Sequence, residues 1–120
     1  YDLHEIAFDR WGATRIVQDL QEMGLTVVQF GQGFASMSAP MKELEKLILS
    51  HRLAHGNNPV LTWMADNLVA SVDPVGNIKP DKARSIEKID GIVALIMGLD
   101  RVLRHEDSKS VYTERGILTL

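Results

Sequence analysis

An acid, Asp90, is set into one of the most apolar helical stretches of this chain, Lys88-Ile-Asp-Gly-Ile-Val-Ala-Leu-Ile-Met-Gly-Leu99. On a helix it lies one turn from Ile86 and within three or four positions of Val93 and Ala94, which puts it on or beside the buried stripe. A carboxylate there needs a cation, a strong hydrogen-bond partner or a raised pKa. A divalent metal shared with a second acid is one way to supply the first. Another acid, Asp9, stands where Glu5-Ile-Ala-Phe8, a short apolar run that reads as a buried strand, gives way to Arg10-Trp-Gly12. Asp9 thus sits at a strand's carboxyl end, a place where acids also serve simply as turn or cap residues.

The densest basic stretch is Lys79, Lys82, Arg84 and Lys88, diluted by Asp81 and Glu87. Such a run can meet a DNA backbone or can be a solvated loop. Lys82 has the same two readings: it can reach a scissile phosphate or orient a catalytic carboxylate, or it can face water. His51 and His55 have the i, i+4 spacing of a shared zinc site. With no third ligand nearby, His55-Gly-Asn-Asn58 reads better as a turn that positions the next helix. Trp11 and Trp63 read as packing residues rather than base-stacking platforms, and Asp73 is a fallback metal ligand.

These residues have to be held by one domain. The chain has 120 residues, enough for a single core. A hydrophobic content of 45% and a charged content of 24% are those of an ordinary globular protein. No apolar run is long enough to span a bilayer and no basic segment leads into a hydrophobic one at the start, so the reading is a soluble, intracellular protein with no membrane partner. The absence of cysteine excludes disulfides and thiolate metal sites. A net charge of −3 makes no global case for nucleic acid, so any such binding must be local. The first residue is Tyr1 rather than Met, which suggests a piece of something longer.

Along the chain, the strand ending at Asp9 is followed by a helix from Ala13 carrying Ile16, Val17, Leu20 and Met23, with Thr14 as cap and Gly24 as stop. Leu25-Thr-Val-Val-Gln-Phe30 is the next strand. After the Gly31-Gln-Gly33 loop, Ser38-Ala-Pro40 precedes a second helix through Met41, Leu44, Leu47 and Ile48. Asn58-Pro59 caps and starts a third helix through Leu68. Val69–Asp73 and Ile78–Pro80 flank Pro74-Val-Gly-Asn77 as a short hairpin. A long helix is predicted from about Arg84 to Leu103, and residues 105–120 form a peripheral tail, partly mobile. Alternation of this kind builds a parallel or mixed sheet covered by helices, an α/β fold.

Several blocks then converge: Ile6-Ala-Phe-Asp-Arg-Trp-Gly12, Gln32-Gly33 with Ser38-Ala-Pro40, His55-Gly-Asn-Asn-Pro-Val60 with Trp63, Gly76-Asn-Ile-Lys-Pro80 with Lys82, Lys88-Ile-Asp-Gly91, and Tyr112 with Arg115-Gly-Ile-Leu118. In this order and spacing the chain resembles the C-terminal part of the nuclease domain of tailed-phage terminase large subunits, the DNA-packaging motor proteins. The resemblance implies a partial ribonuclease-H-like mixed sheet flanked by helices over residues 1–104, with the first strands missing. It implies three acids gathering two Mg²⁺ or Mn²⁺ ions, with Asp9 matching the acid at the end of the middle strand and Asp90 the acid on the final helix. Two-metal phosphodiester hydrolysis needs hard oxygen ligands of this kind. It further implies cleavage of concatemeric double-stranded DNA, a portal protein and a small terminase subunit as partners, a homo-oligomeric motor in the host cytoplasm, and ATP only through an N-terminal motor domain.

The pattern departs from the family in two respects. The first family acid lies upstream of these residues, and no G-x-x-x-x-G-K-[ST] phosphate loop is present. The chain alone is therefore expected to lack ATPase activity and a complete metal site. The competing expectations are a non-catalytic docking module of the same motor and another ribonuclease-H-like enzyme such as a resolvase or transposase.

Overall fold

The computed structural model describes residues 1–118, with side chains through Lys109. Strand β1 (Ile6–Asp9) is joined by helix α1 (Thr14–Glu22) to strand β2 (Val27–Phe30). The two strands pair in parallel, Ile6 opposite Val27 and Asp9 opposite Phe30, as a strand-helix-strand crossover requires. Thr14 is the first helical residue rather than the cap, and Ala13 ahead of it makes no side-chain cap bond. Gly24, at φ +83°, supplies the left-handed turn that ends α1.

Helix α2 spans Phe34–Leu49 and starts earlier than expected, so Ser38 and Pro40 lie inside it. The extended backbone of Gly33 forms the N-terminal boundary, and its carbonyl accepts the Met37 N–H at 3.0 Å. A proline in a helix interior gives up one backbone hydrogen bond. Here its ring is fully buried, beside the core residues Met37, Met41 and Leu44 of the same helix. Just before it, a Cβ on Gly31 would come within 2.9 Å of Ser36 Oγ, and that hydroxyl would have to turn aside. Helix α3 (Pro59–Asn67) is capped as expected, Asn58 Oδ1 accepting the N–H groups of Val60 and Leu61 at 3.0 and 3.2 Å.

Strands β3 (Ala70–Val72) and β4 (Ile78–Pro80) form the expected antiparallel hairpin. Among the described residues they do not join β1 and β2, so the single mixed sheet of the sequence reading is replaced by two separate two-stranded sheets. The Ile78 N–H, at the start of β4, donates to Ser38 Oγ of α2 at 3.1 Å, and β4 packs on that helix.

Helix α4 runs Asp90–Leu118, six residues later at its start than expected and continuing through most of the stretch read as a tail. The side chains of Tyr112 and Arg115–Leu118 lie outside the described residues, as do residues 119 and 120 altogether. The core is the seam between α2 and α4, where Met37, Met41 and Leu44 meet Ile89, Ile92, Val93, Ile96 and Met97, with Phe30 closing it from β2. Met37 and Ile96 are fully buried. No helix among the described residues is long and apolar enough to cross a membrane.

Candidate functional site

The late start of α4 changes the physical setting of Asp90. It is the first helical residue, not one turn along a helix from Ile86, and its side chain is 69% exposed. The argument for a costly buried carboxylate applies instead to Asp100, ten positions further along. Asp100 is 6% exposed and continues the stripe of Ile89, Val93 and Ile96. Its charge is answered by Arg104 Nε at 2.8 Å and Arg101 Nη1 at 3.9 Å. Asp90 needs no such rescue; it stands in the first turn of a helix, where the macrodipole favours an anion.

Asp9 ends β1 and is half-buried, its Oδ1 3.5 Å from the Trp11 N–H across a tight turn. It lines a cavity of about 400 Å³ with Trp11, Gln32, Ser71, Lys79, Pro80, Asp81, Lys82 and Val93. Lys82 also lines a neighbouring cavity of about 430 Å³ that contains Lys88 and Asp90. Its Nζ lies 3.3 Å from Asp90 Oδ1. Lys82 therefore lines one cavity with Asp9 and is paired to the carboxylate of Asp90 beside the other. Both partners of that pair are more than half exposed, so it adds little to stability and is easily exchanged.

The other basic residues separate. Lys79, on β4, places its Nζ 4.9 Å from the Phe34 ring centroid and lines the Asp9 cavity. Lys88 is exposed at the Asp90 cavity. Arg84 is committed elsewhere: its Nε donates to Asp81 Oδ2 at 2.7 Å and its Nη2 to the Ala70 carbonyl at 3.2 Å.

Asp81, read from sequence only as a charge diluting the basic run, organises the loop that carries Lys82. Its carboxylate accepts the Ser71 hydroxyl at 2.6 Å, the Arg84 side chain and the Arg84 N–H at 3.0 Å. The Ser71 hydrogen bond, then those of Arg84, hold its pKa far below the ordinary carboxylate range. The sequence signal was an Asp followed three residues later by Arg84, a capping turn. Asp73 is likewise absorbed by structure, accepting the N–H groups of Val75 and Asn77 at 3.1 and 2.8 Å and the Asn77 amide at 2.9 Å. Desolvation, which raises its pKa, is outweighed by these bonds and the carboxyl sits below its usual value. His55 Nδ1 accepts the Asn57 N–H at 3.2 Å, in keeping with a turn residue. Trp11 departs from its packing assignment: it is 77% exposed.

The profile of the family "Terminase large subunit, endonuclease domain" matches residues 1–106. The chain is 43% identical over 101 residues to the terminase large subunit of Enterobacteria phage HK97, covering 82% of this chain and 20% of that protein. It is also 43% identical over 105 residues to Protein YmfN of Escherichia coli strain K12, covering 85% of this chain and 23% of that protein. Among solved structures, the HK97 bacteriophage large terminase superposes with a TM-score of 0.75 at 42% identity, covering 84% of this chain and 22% of that one. The chain belongs to the terminase large-subunit endonuclease-domain family. It spans about a fifth of the length of these relatives.

Proposed function

We propose that this chain is part of the metal-dependent endonuclease of a phage terminase large subunit, corresponding to the C-terminal portion of a ribonuclease-H-like domain. That enzyme cuts concatemeric double-stranded DNA to begin and end genome packaging. The observation that supports the reading is that Lys82 lines the cavity of Asp9 and also that of Asp90, whose carboxylate it pairs with at 3.3 Å.

Carboxylate oxygens are the hard donors that Mg²⁺ and Mn²⁺ take, and Asp90 already attracts one positive charge. The donors fit in type and fall short in number: among the described residues no three His, Cys, Asp or Glu side chains converge on one point. Asp9 and Asp90 would hold the ions together with a further acid. When bound, two such ions supply Lewis acidity to the phosphodiester and charge compensation to the leaving oxygen. Lys82, released from Asp90, would hold a non-bridging phosphate oxygen. Lys79 and Lys88 would neutralise the DNA backbone on either side, while Arg84 contributes through the loop it braces. Coupling to ATP, the portal, the small subunit and neighbouring copies in the host cytoplasm belongs to the whole large subunit and is part of the same proposal.

The test is Mn²⁺-dependent nicking of supercoiled plasmid by the large subunit carrying this sequence, beside its Asp90→Asn variant. Loss of nicking only in the variant supports the reading. Equal nicking by both removes it. The second reading is a docking module that keeps the fold and meets the portal or small subunit, and that module would tolerate Asp9→Asn and Asp90→Asn in packaging.

A further inference from the structure

We infer that Trp11 is a nucleobase-stacking residue of this site, holding a base that leaves the duplex stack beside the phosphate to be cut. The inference rests on the endonuclease reading and extends it to a residue with no assigned role.

Three observations carry it. Trp11 follows Asp9 by two positions, and its backbone N–H faces the Asp9 carboxylate at 3.5 Å across the turn, so the turn that carries the indole adjoins the candidate acid. Gly12, at φ +73°, lets the chain reverse immediately afterwards and leaves the ring at the tip of that turn. The ring lines the cavity that holds Asp9, Lys79 and Lys82, yet is 77% exposed. A large aromatic left in water at a cavity lined also by two lysines and a candidate acid combines a π-face with the positive charge that tracks a nucleic-acid backbone. The Arg10 guanidinium, 5.1 Å from the ring centroid, supplies a further cation next to the same indole.

An intact duplex offers its bases only as edges in the grooves. Stacking on Trp11 therefore requires a locally opened base, and the interaction should favour DNA with an unpaired nucleotide over a fully paired blunt duplex. The physical term is sequence-tolerant, because every base has a π-face. That suits a residue which grips the strand without selecting a sequence.

The experiment uses the large subunit carrying this sequence, with Ca²⁺ replacing Mn²⁺ to suppress cutting, and the Trp11 signal is taken as the difference in emission between wild type and Trp11→Phe. Trp11 emission is titrated with a short duplex carrying a single-stranded overhang and with the same duplex blunt-ended, while binding is followed separately by anisotropy of a labelled strand. The expected result is quenching that saturates with binding and is stronger for the overhang. Trp11→Ala should weaken overhang binding by about 5- to 150-fold, the range for one lost base stack, and Trp11→Phe should retain most of the affinity. Binding without quenching, equal affinity in Trp11→Ala, or no binding by a folded chain would each overturn the inference. Quenching that persists when Asp9→Asn and Asp90→Asn leave nicking intact would sink the metal-site reading and keep Trp11 as a stacking residue.

Discussion

Replacing Glu5 by Gln should cost this fold about 2 kcal/mol at neutral pH and almost nothing in acid. Glu5 lies just ahead of β1 and meets Arg101 of α4 through two hydrogen bonds, Nε to Oε2 at 2.5 Å and Nη2 to Oε1 at 3.2 Å. The two residues are 96 positions apart, so the pair fastens the strand that delivers Asp9 to the helix that begins with Asp90. Its side chains are only 15% and 23% exposed. His105 Nε2 lies 3.1 Å from Glu5 Oε1 as well, without the alignment of a good hydrogen bond. Hydrogen bonds to charged groups contribute roughly 1.5–3 kcal/mol, and partial access of water places this one near the lower half of that range.

The Arg101 hydrogen bond is the largest influence on Glu5 and holds its carboxyl below the ordinary 4.5, against desolvation, which pushes it up. A depressed folded pKa means that the stabilisation is fully present above the unfolded value and is lost as pH falls through the folded one. Protonated Glu5 and Gln are also nearly isosteric. Urea unfolding of wild type and Glu5→Gln should therefore show a gap of about 2 kcal/mol at pH 7 that closes progressively below about pH 4. A gap that is absent at pH 7, or one that stays constant into acid, would refute the charge-paired clamp.

Three further substitutions probe the frame around the site. Ser38→Ala leaves the Ile78 N–H without its acceptor and should lower stability by about 1–3 kcal/mol in urea unfolding, with faster amide exchange at Ile78. Asn58→Ala removes the cap of α3 and should cost about 1 kcal/mol by the same assay, while Asn58→Asp should restore most of it. Ile96→Ala opens a cavity at a fully buried point between α2 and α4 and should cost about 2–5 kcal/mol, read as a lowered denaturation midpoint.

The order of elements was legible because each has a local signature: the alternation of strand and helix, the Asn58-Pro59 cap, and Gly24 at the end of α1. What local pattern missed was decided by particular bonds. Pro40 read as a helix start because proline favours first turns, whereas the Gly33 boundary and the burial of Met37 and Met41 carry α2 straight through it. The segment before Asp90 read as the start of a helix from about Arg84. Asp81 instead holds Ser71 and Arg84, and Ser85 Oγ donates to the Asp81 carbonyl at 2.6 Å while accepting the Val69 N–H at 3.2 Å. Those contacts with β3 and the residue before it join parts of the chain that no window of sequence contains, and they keep α4 from starting before Asp90. The same shift puts Asp90 in the exposed first turn, while Asp100 lies on the buried stripe of Ile89, Val93 and Ile96. Trp11 was read as a packing residue, whereas the turn before Gly12 leaves it exposed.

The claim that Asp9 and Asp90 act as one metal-dependent site is tested most directly by a mutant cycle on Mn²⁺-dependent plasmid nicking by the large subunit carrying this sequence. Wild type, Asp9→Asn, Asp90→Asn and the double variant are compared at equal folded concentration. Residues that act as a unit are strongly non-additive, so each single change should abolish most of the rate and the double should be no slower than the worse single. A double variant whose loss is the product of the two single losses, or a single variant that nicks like wild type, would contradict the shared site.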